Sequence, residues 1–264
     1  MNKATSRDGT AIAFDRSGEG PAVILVGGAL SDRSAGAPLT ALLAPRFTVL
    51  TYDRRGRGDS GDTAPYAVER EVEDIEALIK GAGGSALLVG HSSGAVLALE
   101  AARLLPTKIT KLALYEPPFI VDDSRPPVPG GYATRLTDLV ASGRRGDAVE
   151  LFMTEAVSVP PEMVAQMRQA PMWPALQALA HTLAYDGAVM EGAMSGSPAP
   201  LKRWAAVTVP TLVMDGGASP AWARNAVQAL VDVLLNARRR TLEGQTHGVA
   251  PEALAPVLGE FFAG

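Results

Sequence analysis

Gly90-His91-Ser92-Ser93-Gly94 carries the G-x-S-x-G spacing, between an apolar run at 86–89 and a helical pattern over 95–105. That context is the one a nucleophilic serine requires. The serine must ride a sharp strand-to-helix turn, where small flanking residues relieve crowding. The helix N-terminus behind it favours negative charge as it develops. The spacing centres the motif on Ser92 and makes it the candidate nucleophile. Its neighbour Ser93 is a candidate for donating its backbone N–H to an oxyanion. A second donor is expected from the loop after the apolar run 22–26, at Gly28 or Ala29. Preorganised donors of this kind stabilise an oxyanion by about 3 kcal/mol each. Gly27-Gly28 fits neither G-x-G-x-x-G nor G-x-x-x-x-G-K, so a phosphate-binding reading is weak.

A serine needs a base, and the chain offers three histidines. His91 lies within the motif, with its side chain expected to point away from Ser92. His181 falls in a helical stretch and reads as structural or solvated. His247, in Gly244-Gln245-Thr246-His247-Gly248, follows a predicted strand and precedes the last helix. That places it on a loop at the same sheet edge as Ser92, where a neutral imidazole can take the serine proton.

The elements that must position these groups alternate along the chain. Short apolar runs at 22–26, 47–52, 86–89 and 111–115 read as strands buried on both faces. Residues 66–80 read as a helix, with Val68, Val72, Ile75, Leu78 and Ile79 on one face and acids on the other. Strands separated by helices imply a parallel sheet with crossover connections. The alternation stops after Glu116. Residues 117–203 read as a helical insertion, and residues 1–116 and 204–264 as the core. Strand patterns resume at 211–214 and 239–242, with helices from Pro220 and Pro251.

Composition narrows the function further. The 264 residues contain no cysteine, so thiol catalysis and thiolate metal sites are out. A net charge of −4 with no basic stripe argues against nucleic acid as a partner. No apolar run approaches the roughly 20 residues that span a bilayer, and the first residues lack the apolar core of a signal peptide. A cytoplasmic protein, monomer or homodimer, is expected.

On the elbow, the late histidine and the stretch Asp53-Arg54-Arg55-Gly56-Arg57-Gly58-Asp59-Ser60, the chain resembles the α/β-hydrolase superfamily over essentially its whole length. The last stretch looks like the D-x-R-G-x-G-x-S loop after that family's fourth strand. The resemblance implies an α/β-hydrolase fold: a mostly parallel eight-stranded sheet, with the helical insertion after strand 6 as a lid. Many relatives place the acid that orients the histidine a few residues after the strand at 211–214, as G-x-x-D. Here Ser219 holds that place, and Ser219-Pro220 reads as a helix N-cap followed by proline at the first helical position. Some branches, the zearalenone lactone hydrolases among them, carry the acid after strand 6 as a glutamate. Leu114-Tyr115-Glu116-Pro117 looks like that arrangement. Glu116 is the favoured acid and Asp215 its rival.

These readings converge on a cofactor-free serine hydrolase, with no metal, acting on a carboxylic ester or lactone of a small apolar substrate. Met153, Met163, Met167, Met172, Met190 and Met194 lie in the insertion, where some are expected to line the pocket. A cofactor-free perhydrolase or C–C bond hydrolase is the alternative within the same chemistry. A hydrolase-derived protein that binds a small ligand without turnover is the alternative outside it.

Overall fold

The computed structural model describes residues 1–264. Its central sheet follows from strands that carry buried apolar residues on both faces. In β3 (Ala22–Val26), Ala22, Ile24 and Val26 join one buried cluster, while Val23 and Leu25 join a second on the opposite face. In β5 (Ala86–His91), Leu88 goes to the first and Leu87 and Val89 to the second. β6 (Ile109–Tyr115) divides likewise, with Leu112 and Leu114 against Ala113 and Tyr115. A pleated strand sends successive side chains to opposite faces, so such strands must be covered on both. Each fully buried leucine or isoleucine contributes about 1.5–3 kcal/mol.

The remaining strands are β1 (Asn2–Thr5), β2 (Ala11–Ser17), β4 (Thr48–Tyr52), β7 (Thr211–Gly216) and β8 (Ala237–Leu242). Eight strands lie in the order β1-β2-β4-β3-β5-β6-β7-β8. β2 pairs antiparallel with β1 and β4, and all the other pairs are parallel. Helices α1 (Ala37–Leu43) and α10 (Pro251–Ala263) cover one face. Helices α2 (Val68–Gly81), α3 (Ser93–Leu104) and α9 (Ala221–Val233) cover the other. This is the α/β-hydrolase architecture the sequence implies.

Helix α2 departs from the sequence reading in one respect. Its acids were expected on the solvent side, yet Glu71 and Asp74 are each only 1% exposed. Arg54 donates through Nε and Nη2 to Glu71, both at 2.7 Å. Arg55 donates through Nε and Nη2 to Asp74, at 2.9 and 2.7 Å. Carboxylates enter an interior when a guanidinium satisfies both oxygens.

Between β6 and β7 the chain forms no strand. Five short helices follow one another: α4 (Tyr132–Ala141), α5 (Arg145–Leu151), α6 (Pro161–Met167), α7 (Trp173–Leu179) and α8 (Leu183–Val189). They share an apolar cluster of their own around Leu136, Val149, Val164, Trp173 and Leu183. The flanks of the segment, with Phe119, Met190 and Leu201, pack into the main core instead. No helix of the chain is long and apolar enough to cross a membrane.

Candidate active site

Ser92 follows β5 directly and adopts φ 57° and ψ −129°. A non-glycine residue there carries strain of about 1–3 kcal/mol, held by its surroundings. The Ser92 N–H donates to the Tyr115 carbonyl at 3.0 Å, and the Ser92 carbonyl accepts from the Ala95 N–H at 2.9 Å. The flanking glycines are steric necessities. A Cβ on Gly90 would stand 2.5 Å from the Ala95 Cα, and one on Gly94 would stand 2.3 Å from the Val26 carbonyl oxygen. Gly28 approaches from the other side, where an added Cβ would lie 3.0 Å from the Ser92 Cβ. Ser92, Gly28, Ala29 and Ser93 are thereby brought together at the end of β3 and the start of α3.

His247 and Glu116 meet at the same edge, with His247 Nδ1 2.8 Å from Glu116 Oε2. The imidazole is half exposed and the carboxylate buried, at 46% and 2%. Glu116 leaves β6 with φ 44°, a left-handed conformation that ends the strand. Its second oxygen, Oε1, accepts from the Gly216 N–H at 2.8 Å and from the Ser219 hydroxyl at 2.5 Å. Burial pushes this carboxyl upward, but the bonds from His247, Ser219 and Gly216 outweigh it and hold the group below the usual carboxylate range. A carboxylate that stays ionised accepts from Nδ1–H and leaves the His247 Nε2 lone pair free.

Ser219 was expected to cap the following helix. Instead α9 begins at Ala221 with Pro220 at its cap and no side-chain cap bond. The Ser219 hydroxyl is turned inward onto Glu116, because an ionised acceptor is a stronger partner than a helix amide. Asp215, the rival acid, is not brought to the histidine. It is fully buried, accepts from the Thr241 hydroxyl at 2.7 Å and pairs with Arg239.

Two further side chains hold the His247 loop, and neither contact was legible in the sequence. Tyr115 donates its hydroxyl to the Thr246 carbonyl at 2.6 Å. His91 Nε2 lies 2.8 Å from the His247 carbonyl oxygen, and the two rings are 4.7 Å apart. A carbonyl only accepts, so His91 Nε2 carries the proton. Burial, aided by the neighbouring His247, pushes His91 down to about 4, which keeps it neutral near pH 7. Nowhere do three or more His, Cys, Asp or Glu side chains gather within reach of one metal ion.

Two cavities open onto Ser92 and His247. The larger, about 530 Å³, runs toward α1 and α10 past Leu25, Leu39 and Leu254. The smaller, about 350 Å³, lies between the sheet edge and the helical segment, lined by Tyr132, Leu183, Met190, Met194 and Trp222. Ala29, Phe152 and Val157 form walls of both. Of the methionines in the insertion, Met153, Met190 and Met194 face these cavities, whereas Met163 and Met172 are exposed.

Residues 23–257 match the model of the alpha/beta hydrolase family, and the chain belongs to that family. It is similar to the crystal structure of an alpha/beta hydrolase from Sphaerobacter thermophilus, with 63% identity and a TM-score of 0.91, over 99% of this chain and 100% of the other. An enol-lactonase from Burkholderia xenovorans shares the fold, at 21% identity and a TM-score of 0.72 over the full length of both chains. Among curated relatives, a 2-(acetamidomethylene)succinate hydrolase from Mesorhizobium japonicum is 38% identical over 92 residues. That match covers 34% of this chain, and the chain spans about a third of that relative's length (33%).

Proposed function

We propose that this chain is a serine hydrolase that cleaves a carboxylic ester or lactone through an acyl-enzyme. The observation that carries the reading is the 2.8 Å bond from His247 Nδ1 to the buried Glu116, at the sheet edge where the strained Ser92 stands. Ser92 Oγ attacks the carbonyl carbon while its proton passes to His247 Nε2. The carbonyl electron pair moves to oxygen, and the N–H groups of Ser93 and of Ala29 or Gly28 receive the oxyanion. Glu116 holds the tautomer and stabilises the imidazolium. As the tetrahedral intermediate collapses, His247 returns the proton to the leaving alcohol. A water then repeats the sequence on the acyl-enzyme.

The helical segment acts as a lid and sets the substrate class. No lysine or arginine lines the smaller cavity, so nothing there offers an anionic substrate a cationic partner. Tyr132 is 7% exposed, and burial, with Asp186 nearby, pushes its hydroxyl up, so that it stays protonated. A neutral, largely apolar acyl group or lactone ring with a hydrogen-bond acceptor suits these walls. The missing acid after β7 favours a non-catalytic binder, and the contact of Glu116 with His247 supports the catalytic reading instead.

A fluorophosphonate probe tests the chemistry, alongside p-nitrophenyl esters of graded chain length and a lactone panel. Labelling of the wild type at Ser92, lost in Ser92→Ala, and turnover within the panel are expected. A well-folded wild type that is neither labelled nor active would sink the proposal in favour of the ligand-binding alternative.

A further inference from the structure

Asp186 belongs to α8 in the lid, is 4% exposed, and reaches across to the core. Its Oδ1 accepts from the Ser93 hydroxyl and from Arg54 Nη1, and its Oδ2 accepts from Arg57 Nη2, each at 2.7 Å. Arg57 is 1% exposed, and its other terminal nitrogen donates to the Gly28 carbonyl at 2.5 Å and to the Ser31 carbonyl at 3.2 Å. The Ser31 hydroxyl donates to the same Gly28 carbonyl at 2.7 Å. Arg54 is balanced by Glu71, so two guanidiniums and two carboxylates close a neutral buried cluster.

The consequence lies in the peptide groups these bonds fix. The Gly28–Ala29 peptide is trans, so its N–H points opposite to its C=O. Arg57 and the Ser31 hydroxyl hold the C=O, and the Ala29 N–H is thereby fixed on the side away from them. Ser93, whose N–H begins α3, is held by its own hydroxyl on Asp186. We infer that lid Asp186 is a positioning residue for the oxyanion hole, fixing the Ala29 donor through Arg57 and the Ser93 donor directly. The inference rests on the acyl-transfer reading above. It also means that the oxyanion site is assembled only while the lid is seated. Arg57, which has no carboxylate partner but Asp186, depends on the lid, because an unpaired guanidinium there is costly.

A trifluoromethyl ketone with an apolar tail separates this role from a merely structural one. Ser92 Oγ adds to its carbonyl carbon, the proton goes to His247, and the electron pair becomes an oxyanion that only a formed hole stabilises. The corresponding carboxylic acid product serves as the ground-state ligand. Asp186→Asn is expected to lower kcat by about tenfold to a hundredfold with little change in KM, and to raise the ketone Ki by the same factor. The Ki of the product acid should stay near the wild-type value. Ser93→Ala and Arg57→Lys should fall on the same line with smaller losses, and they decide the question if Asp186→Asn does not fold. Variants whose ketone Ki shifts no more than their product Ki overturn the inference while leaving the hydrolase reading intact. A wild type that the ketone does not inhibit overturns both.

Discussion

Glu116 and Asp215 are carboxylates at the carboxyl ends of two adjacent parallel strands, β6 and β7, and both are buried. Their partners differ. Glu116 lies just past its strand with φ 44° and holds His247, the Gly216 N–H and Ser219. Asp215 lies within its strand, paired in register with Thr241 of β8, and that ladder commits it to Thr241 and Arg239. The two stand level in the register of β6 against β7, and what separates them is that β6 has ended at Tyr115 while β7 continues to Gly216. Strand residues alternate sides and are tied to their neighbours, whereas the residue after a strand can turn toward whatever the loops present.

The sharpest way to break this comparison is to neutralise each acid in turn. Glu116→Gln should lower kcat by about 10³–10⁴-fold with the melting temperature little changed, by analogy with loss of a triad acid. Asp215→Asn should leave kcat near the wild-type value but cost about 1–3 kcal/mol of stability, from a buried pair left half satisfied. Chemical denaturation alongside steady-state kinetics checks both. The reverse pattern would transfer the orienting role to Asp215.

A second experiment moves the acid. The Ser219 hydroxyl already touches the Glu116 carboxylate, so a carboxylate at position 219 would reach the same space. Glu116→Ala should be nearly dead. Adding Ser219→Asp to it should restore kcat by on the order of tenfold or more, a coupling that independent sites would not show. If the double variant is no better than Glu116→Ala, the two positions do not share one orienting site.

A smaller effect is expected from Ser219→Ala alone. Its hydroxyl is one of the bonds that hold Glu116 below the usual carboxylate range. Removing it raises the Glu116 pKa, so the acidic limb of kcat/KM should move to higher pH, with kcat near neutrality falling by about tenfold or less. An unmoved limb would show that Ser219 only fills space.

How much of this was legible follows from what each residue depends on. The placement of Ser92 and His247 could be read because local rules constrain it: a turn that tolerates little but glycine at Gly90 and Gly94, and a loop at a strand end. The central strands could be read because burial on both faces leaves continuous apolar runs such as residues 22–26. The strands β1 and β2 were not singled out. β1 is the edge strand and largely exposed, so no buried face writes its pattern, and β2 beside it buries only Ile12 and Ala13. Ser219 misled for a local reason, since Ser-Pro is a plausible helix start, while its real partner comes from 103 positions away. Asp186 was invisible for the same cause. A lone aspartate in a short helix looks solvated until the fold brings Arg54 and Arg57 to it.

His91 offers the last and finest test, because Glu116 holds His247 by its ring and His91 holds it by its backbone. Burial pushes His91 down to about 4, against about 6.5 for an exposed histidine. Between those values the unfolded chain binds a proton that the folded chain refuses. Stability tied to His91 is therefore fully present above about pH 6.5 and is lost as pH falls toward 4. The full shift corresponds to about 3–3.5 kcal/mol. His91→Gln keeps an N–H donor for the His247 carbonyl but removes the titration. Urea midpoints measured from pH 7.5 down to 4.5 should therefore fall more steeply for the wild type than for His91→Gln, with kcat at pH 7.5 only modestly reduced. Parallel curves would place His91 in contact with solvent, and a collapse of kcat to the level of Glu116→Gln would mean that the backbone anchor matters as much as the ring.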